Sequence, residues 1–155
     1  MFVLKLSTYV AAPLECVFAY LADFRHAPDW QGQLAGVRLD DGPFPDGTHV
    51  VEIRRMLGRT FEAHGELVAW DPPRGLTVRG SSGPLHVESR YSCNAAPGGT
   101  VVEITLTVSG TGPIQLATPL LARAFRRQGA ADIKRLATVF DGRPRACHAA
   151  LSRVH

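Results

Sequence analysis

The sequence has few cysteines, no long apolar run and no signature of an export signal. Cys16, Cys93 and Cys147 are far apart and show no C-x-x-C spacing, which argues against a disulfide framework or a zinc site. This cysteine usage favours a reducing, cytoplasmic compartment. No apolar stretch approaches the roughly 18 residues of a membrane span, and the start lacks a basic region. We therefore expect a soluble protein with no integral membrane segment.

Neither sign of charge is in large excess, since the formal net charge is only +3 at pH 7. The chain has no phosphate-binding loop, nucleophile elbow or metal-ligand spacing, so we expect neither a metal nor another cofactor. Basic residues do cluster in the C-terminal third, at Arg123, Arg126, Arg127, Lys134 and Arg135. Phe125 lies among them in sequence but belongs to the apolar stripe of the predicted helix. Because the basic side of the helix then has no aromatic residue to stack bases, we interpret it as a solvated face and expect no nucleic acid partner.

What is present suits one α+β domain. The chain has 155 residues, of which 45% are hydrophobic and 20% charged, as is usual for a globular domain. Residues 2–10 alternate between apolar and polar and predict a strand. Pro13 suits the first turn of a helix. The helix predicted after it has an apolar stripe at helical spacing, formed by Leu14, Val17, Phe18 and Leu21.

From residue 34 to 109, short β-like runs alternate with turn motifs at intervals of roughly ten residues, which predicts an antiparallel meander. With the first strand this gives about seven strands. A helix is predicted from Ile114 to Asp141, ending at Gly142 and bent near Thr118 and Pro119, with Thr118 as its N-cap. Residues 142–155 have few apolar anchors and are interpreted as a mobile tail or a short extra turn of helix.

The order and spacing of these pieces resemble the START-like helix-grip superfamily, also called SRPBCC, over residues 1–141. The matching segments are "VAAPLECVFAYLADFRHAPDW", "VAWDPPRGLTVRG", "GPLHVESRYSC" and "PLLARAFRRQ". Among its branches, the sequence is most similar to the bacterial polyketide cyclase/dehydrase type. The resemblance implies a seven-stranded curved antiparallel sheet wrapped around a long C-terminal helix, with two short N-terminal helices and a deep cavity.

Known members of this superfamily differ widely in function, and fold alone does not choose among them. They include lipid carriers, ubiquinone-binding chaperones, plant hormone receptors, aromatase/cyclases and activators of a chaperone ATPase. We expect a binding module for a small, largely hydrophobic ligand that is lipid-, polyketide- or isoprenoid-like. The alternative is a polyketide cyclase or dehydrase that moves protons with a His/Glu pair. Contact with a protein partner is a weaker hypothesis, and a homodimer is left open.

The expected ligand-binding residues are Trp30, Phe61, Tyr91, Leu121, Phe125 and Gln128. For each apolar one, plain core packing is an equally good interpretation. Gln128 is more informative, because a polar side chain on the apolar stripe needs a water, a backbone group or a ligand as its partner. Cys93 shares the strand parity of Tyr91 and is interpreted as an inert buried thiol.

The alternative catalytic pair, His64 and Glu66, depends on the register of the hairpin around "MLGRT". A two-residue turn, Leu57-Gly58, would place Val51 and Ile53 on the face of these charged residues. A three-residue turn that adds Arg59 would instead place them with Phe61 and Ala63 and separate apolar from charged groups. Because register follows the buried pattern, we predict the longer turn, with His64 and Glu66 directed to solvent.

Overall fold

One antiparallel sheet of seven strands organises the computed structural model, which describes residues 1–40, 42, 44–45, 47–56 and 58–141. The strands are β1 Phe2–Val10, β2 Leu34–Leu39, β3 His49–Met56, β4 Arg59–Asp71, β5 Gly75–Ser82, β6 Leu85–Ala96 and β7 Gly99–Gly110. Their order in the sheet is β1-β7-β6-β5-β4-β3-β2. From β2 to β7 each strand pairs with its neighbour in sequence, and β1 closes the far edge. The predicted meander and fold class are confirmed.

Helices lie before and after the meander. Helix α1 spans Leu14–Ala22 and is followed by a 3₁₀ helix, Phe24–Asp29. After β7, a second 3₁₀ helix, Gly112–Ala117, leads into helix α2, Thr118–Val139. The change of helix type therefore occurs where the sequence predicted a bend. The predicted cap is wrong, however, because Ala117 is the N-cap and the Thr118 hydroxyl donates to the Gln115 carbonyl at 2.8 Å.

Helix α2 packs against β1 along one side. Gly129 is buried in this contact, and a Cβ added there would come within 2.7 Å of Leu6 Cδ1. The absence of a side chain thus allows the helix to approach the strand closely. Further along, Leu136 is fully buried and Phe140 nearly so, in a core shared with α1. Helix α2 ends at Val139 with Phe140 as its C-cap, two residues before the predicted end at Asp141. The predicted cap residue Gly142 and the predicted tail lie outside the described residues.

The hairpin between β3 and β4 does not have the predicted register. Val51 pairs with His64, and Met56 pairs with Arg59, so the turn has two residues and the predicted three-residue turn is wrong. Gly58 has a φ of 75°, a conformation that two-residue hairpin turns require and glycine adopts readily. The expectation failed because it assumed that all charged side chains of this hairpin lie on the wet face.

The cysteines also differ in part from expectation. Cys16 is disulfide-bonded, so the argument against a disulfide is wrong at this residue. Cys93 is free and buried, as expected. Cys147 lies outside the described residues. Among the helices of the described ranges, none combines the length and apolar character needed to cross a bilayer.

Candidate functional site

A cavity of about 190 Å³ lies between α2 and the inner face of the sheet. Alternate residues of a strand point to opposite faces, so β3, β4 and β6 each contribute every second side chain to its wall. The wall is mostly apolar. It includes all the residues expected to bind ligand: Trp30, Phe61, Tyr91, Leu121, Phe125 and Gln128. The fold therefore brings this set together, while contact with a ligand stays a prediction for each residue.

The predicted residues reach the cavity from different elements. Trp30 follows the first 3₁₀ helix and is 5% exposed. Helix α2 supplies Leu121, Phe125 and Gln128, which lie at helical spacing along one side. Phe125 also packs edge-on against Phe2, with ring centroids 5.8 Å apart. Phe125 thus combines the two roles that the sequence left open, core packing and cavity wall.

A charged pair inside the cavity was not expected from the sequence. Glu52 and Arg54 lie on the inner face of β3, and Arg54 Nε and Nη2 donate to Glu52 Oε2 at 3.0 and 2.9 Å. Arg54 Nη2 also donates to Gln31 Oε1 at 3.0 Å. The only available signal was the Glu-x-Arg spacing, which places both side chains on one face of a strand. Burial of the pair is tolerated because each charge has an opposite partner.

Tyr91 completes this polar end of the cavity. Burial raises the pKa of its phenol well above the ordinary value, and the negative charge of Glu52 raises it further. Arg54 acts in the opposite direction, Asp132 adds a smaller upward effect, and hydrogen bonding from Gln31 lowers the pKa slightly. The hydroxyl therefore remains protonated at neutral pH and can donate a hydrogen bond.

The second polar group of the cavity connects α2 to the loop before β2. Asp132 Oδ1 accepts from Gln128 Nε2 at 2.7 Å, from the Gly32 N–H at 3.1 Å and from Arg135 Nη1 at 3.3 Å. The partner that Gln128 was expected to need is thus a neighbouring carboxylate. The same carboxylate holds the loop after Trp30 against the helix.

A family model described as "Polyketide cyclase / dehydrase and lipid transport" matches residues 1–141. The chain belongs to this family. A comparison with curated proteins found no match.

Several solved structures share the fold of this chain. A START superfamily protein from Mycobacterium smegmatis has a TM-score of 0.70 at 15% identity, covering 88% of this chain and 98% of that one. An aromatase/cyclase from Streptomyces sp. R1128 has a TM-score of 0.73 at 16% identity, covering 94% and 96%. A protein from Thermus thermophilus has a TM-score of 0.72 at 18% identity, covering 96% and 99%. At these identities the likeness shows the fold alone.

In this family member, the His/Glu pair considered for catalysis lies on the outer face of β4. The His64 side chain is 63% exposed, and its Nε2 lies 3.5 Å from Glu62 Oε2. His64 borders the cavity, but the alternation of the strand assigns that contact to its main chain, since Ala63 and Gly65 are the inward residues. Glu66 is exposed as well. The outward direction agrees with the sequence argument, although the register used to reach it was wrong.

The titratable groups of the described ranges do not assemble into a metal site. No group of three or more His, Cys, Asp or Glu side chains there is arranged to hold an ion. The polar side chains in the cavity wall include Glu52, Arg54, Tyr91 and Asp132.

Proposed function

We propose that this protein binds a small, largely apolar molecule that carries at least one oxygen function. The observation that supports this is the contrast within the cavity. Apolar side chains form most of the wall, while Arg54, Gln31 and Tyr91 meet at one end. Ligand pockets commonly have this composition, in which apolar surface provides affinity and a few polar groups orient the ligand.

The size of the cavity suggests the size of the ligand. An apolar cavity of about 150 Å³ is large enough for benzene, and this cavity measures about 190 Å³. One substituted ring, or two fused rings, would fill it. A longer lipid or polyketide chain would have to extend beyond the enclosed volume, so a compact aromatic or isoprenoid group is favoured.

The polar end offers hydrogen-bond donors to an oxygen. Within the described residues, Arg54 Nη1 has no hydrogen-bond partner, although Nε and Nη2 of the same side chain are both engaged. The protonated Tyr91 hydroxyl lies in the same cavity wall. A ketone, phenol or carboxylate oxygen can accept from both groups, and a donor bond to a charged group contributes about 1.5 to 3 kcal/mol.

Native mass spectrometry of freshly purified protein should reveal a co-purified molecule of this size. As a defined probe we choose 2-naphthol, measured by its fluorescence on titration. Leu121→Trp fills the cavity and should abolish binding. Leu120→Trp adds the same side chain one residue away, at a position that is 74% exposed, and should leave binding unchanged. Equal binding by both variants would contradict the proposed site.

The polar end is tested by comparing 2-naphthol with naphthalene, which lacks the hydroxyl. The wild type should prefer 2-naphthol, and Tyr91→Phe should reduce that preference about fivefold to tenfold, since a neutral hydrogen bond contributes about 1 kcal/mol. The affinity for naphthalene should change little. If Tyr91→Phe and Arg54→Leu both prefer 2-naphthol over naphthalene as strongly as the wild type does, the ligand hydroxyl does not bind at the polar end.

A second candidate function, a cyclase or dehydrase activity, is favoured by the position of Glu52. Its Oε2 is held by Arg54, whereas its Oε1 has no partner in the described part of the chain. Glu52 Oε1 can accept a proton from the carbon beside a ketone. The electron pair of the broken C–H bond then forms an enolate, whose oxygen is stabilised by Arg54 and Tyr91. Glu52, together with Arg54 and Tyr91, would then take the catalytic role for which the sequence offered His64 and Glu66.

Proton exchange provides the test of this second function. The exchange of α-protons of 2-tetralone in D₂O, followed by NMR, should be faster with the wild-type protein than in buffer. Glu52→Gln should remove the acceleration, while His64→Ala should retain it because His64 lies on the outer face. Exchange that never exceeds the buffer rate would reject the activity and leave the binding function in place.

A further inference from the structure

Two leucines are exposed where α2 begins. Leu116 in the second 3₁₀ helix is 88% exposed, and Leu120 in the first turn of α2 is 74% exposed. Ile114, by contrast, packs against Gly110 at the end of β7. The 3₁₀ helix is therefore anchored by one apolar residue and presents another to solvent. Isolated exposed leucines are common, but paired ones beside a cavity need an explanation.

Positive charge lies immediately beside these leucines. Arg123, Arg126 and Arg127 are exposed, and none of them forms an ion pair with another described residue. No acidic residue occurs between Thr111 and Ala131. We refer to Leu116, Leu120, Arg123, Arg126 and Arg127 together as the rim patch. It combines exposed apolar side chains with an uncompensated positive field.

The rim patch adjoins the cavity. Leu121 and Phe125 on the same helix turns face the cavity, and the residues next to them in sequence face outward because of the helical period. A surface that rests on the rim patch would therefore lie beside the part of α2 that covers the cavity. An apolar ligand passing between that surface and the cavity would have little water to cross.

We propose that the rim patch docks on an anionic lipid bilayer. The leucines would enter the boundary between headgroups and acyl chains, and the arginines would contact lipid phosphates. Nucleic acid would use the arginines but leave the leucines without a role. A symmetric contact between two copies would bring like charges together. This inference does not rest on the proposed ligand, since docking is measured on the protein alone.

The test is co-sedimentation of the full chain with vesicles of phosphatidylcholine alone, or of equal parts phosphatidylcholine and phosphatidylglycerol. The wild type should bind the anionic vesicles and not the neutral ones. Arg123→Gln/Arg126→Gln/Arg127→Gln should weaken binding about a hundredfold, at about fivefold per charge near the surface. Leu116→Ser/Leu120→Ser should weaken it about tenfold or more.

A matched control neutralises Lys5, Arg59 and Arg90 on the sheet, which lowers the net charge from +3 to 0 just as the rim-patch variant does. This control should retain most of the binding, and melting curves should show that every variant is folded. Equal losses in the two triple variants would overturn the proposal. The proposal would also be overturned if the wild type bound neither kind of vesicle. It would likewise be overturned if the protein formed a dimer in solution that dissociates when the two leucines are replaced.

Discussion

At Glu52 and Arg54, opposite charges two residues apart turn inward together. Their side chains are 17% and 27% exposed, and their mutual hydrogen bonds offset the cost of removing them from water. The alternation of β3 alone could not show which of its residues face the cavity, because either choice leaves some apolar side chains on the outer face. Val51, which the sequence assigned to the inner face, is 2% exposed on the face that it shares with His64.

The buried thiol of Cys93 gives a prediction for how the stability of the protein depends on pH. Burial raises the pKa of its thiol from 9.0 to about 12. The folded state therefore keeps a proton that the unfolded chain releases above pH 9. Consequently the free energy of unfolding should fall as pH rises from about 9 to 12, by about 1.4 kcal/mol per pH unit. Urea titrations at several pH values should show a smaller fall for Cys93→Ala, and identical slopes would contradict the assignment.

At the scale of elements, the buried side of α2 makes two kinds of contact. It lines the cavity at Leu121 and Phe125, and it packs on β1 at Gly129, which also borders the cavity. The sequence pattern predicted a stripe that drifts around the helix, which agrees with these two contacts. It did not predict that the Asp132 carboxylate would join this helix to the loop after Trp30.

The Asp132 link gives a prediction about stability. Asp132→Ala leaves the Gly32 N–H and the Gln128 amide without their acceptor, so unfolding free energy should fall by about 1 to 3 kcal/mol. Asp132→Asn keeps an acceptor oxygen and should cost less. Chemical denaturation of the two variants measures the difference. If Asp132→Ala and Asp132→Asn lower the free energy of unfolding equally, the loss comes from removing the charge and not from losing the hydrogen bonds.

At the scale of the whole molecule, buried residues of α1, α2 and the sheet form one core within the described ranges. Leu136 is 0% exposed in that core, whereas Leu120 on the same helix is 74% exposed. Leu136→Ala should therefore lower the free energy of unfolding by about 2 to 5 kcal/mol, and Leu120→Ala should change it by less than about 0.5 kcal/mol. Calorimetry should show one transition that shifts as a unit. Separate transitions for helix and sheet would disagree with a shared core.

The sequence by itself determined the order and type of the elements, because strand and helix periods are local properties of consecutive residues. It also predicted the cavity-lining residues Trp30, Phe61 and Tyr91, together with those of α2, through their apolar faces and the family resemblance. Only the tertiary structure decided the register of β3 against β4 and the meeting of Arg54 with Gln31. These residues are 23 positions apart. Such contacts depend on how strands pair and curve in space, which no local period encodes.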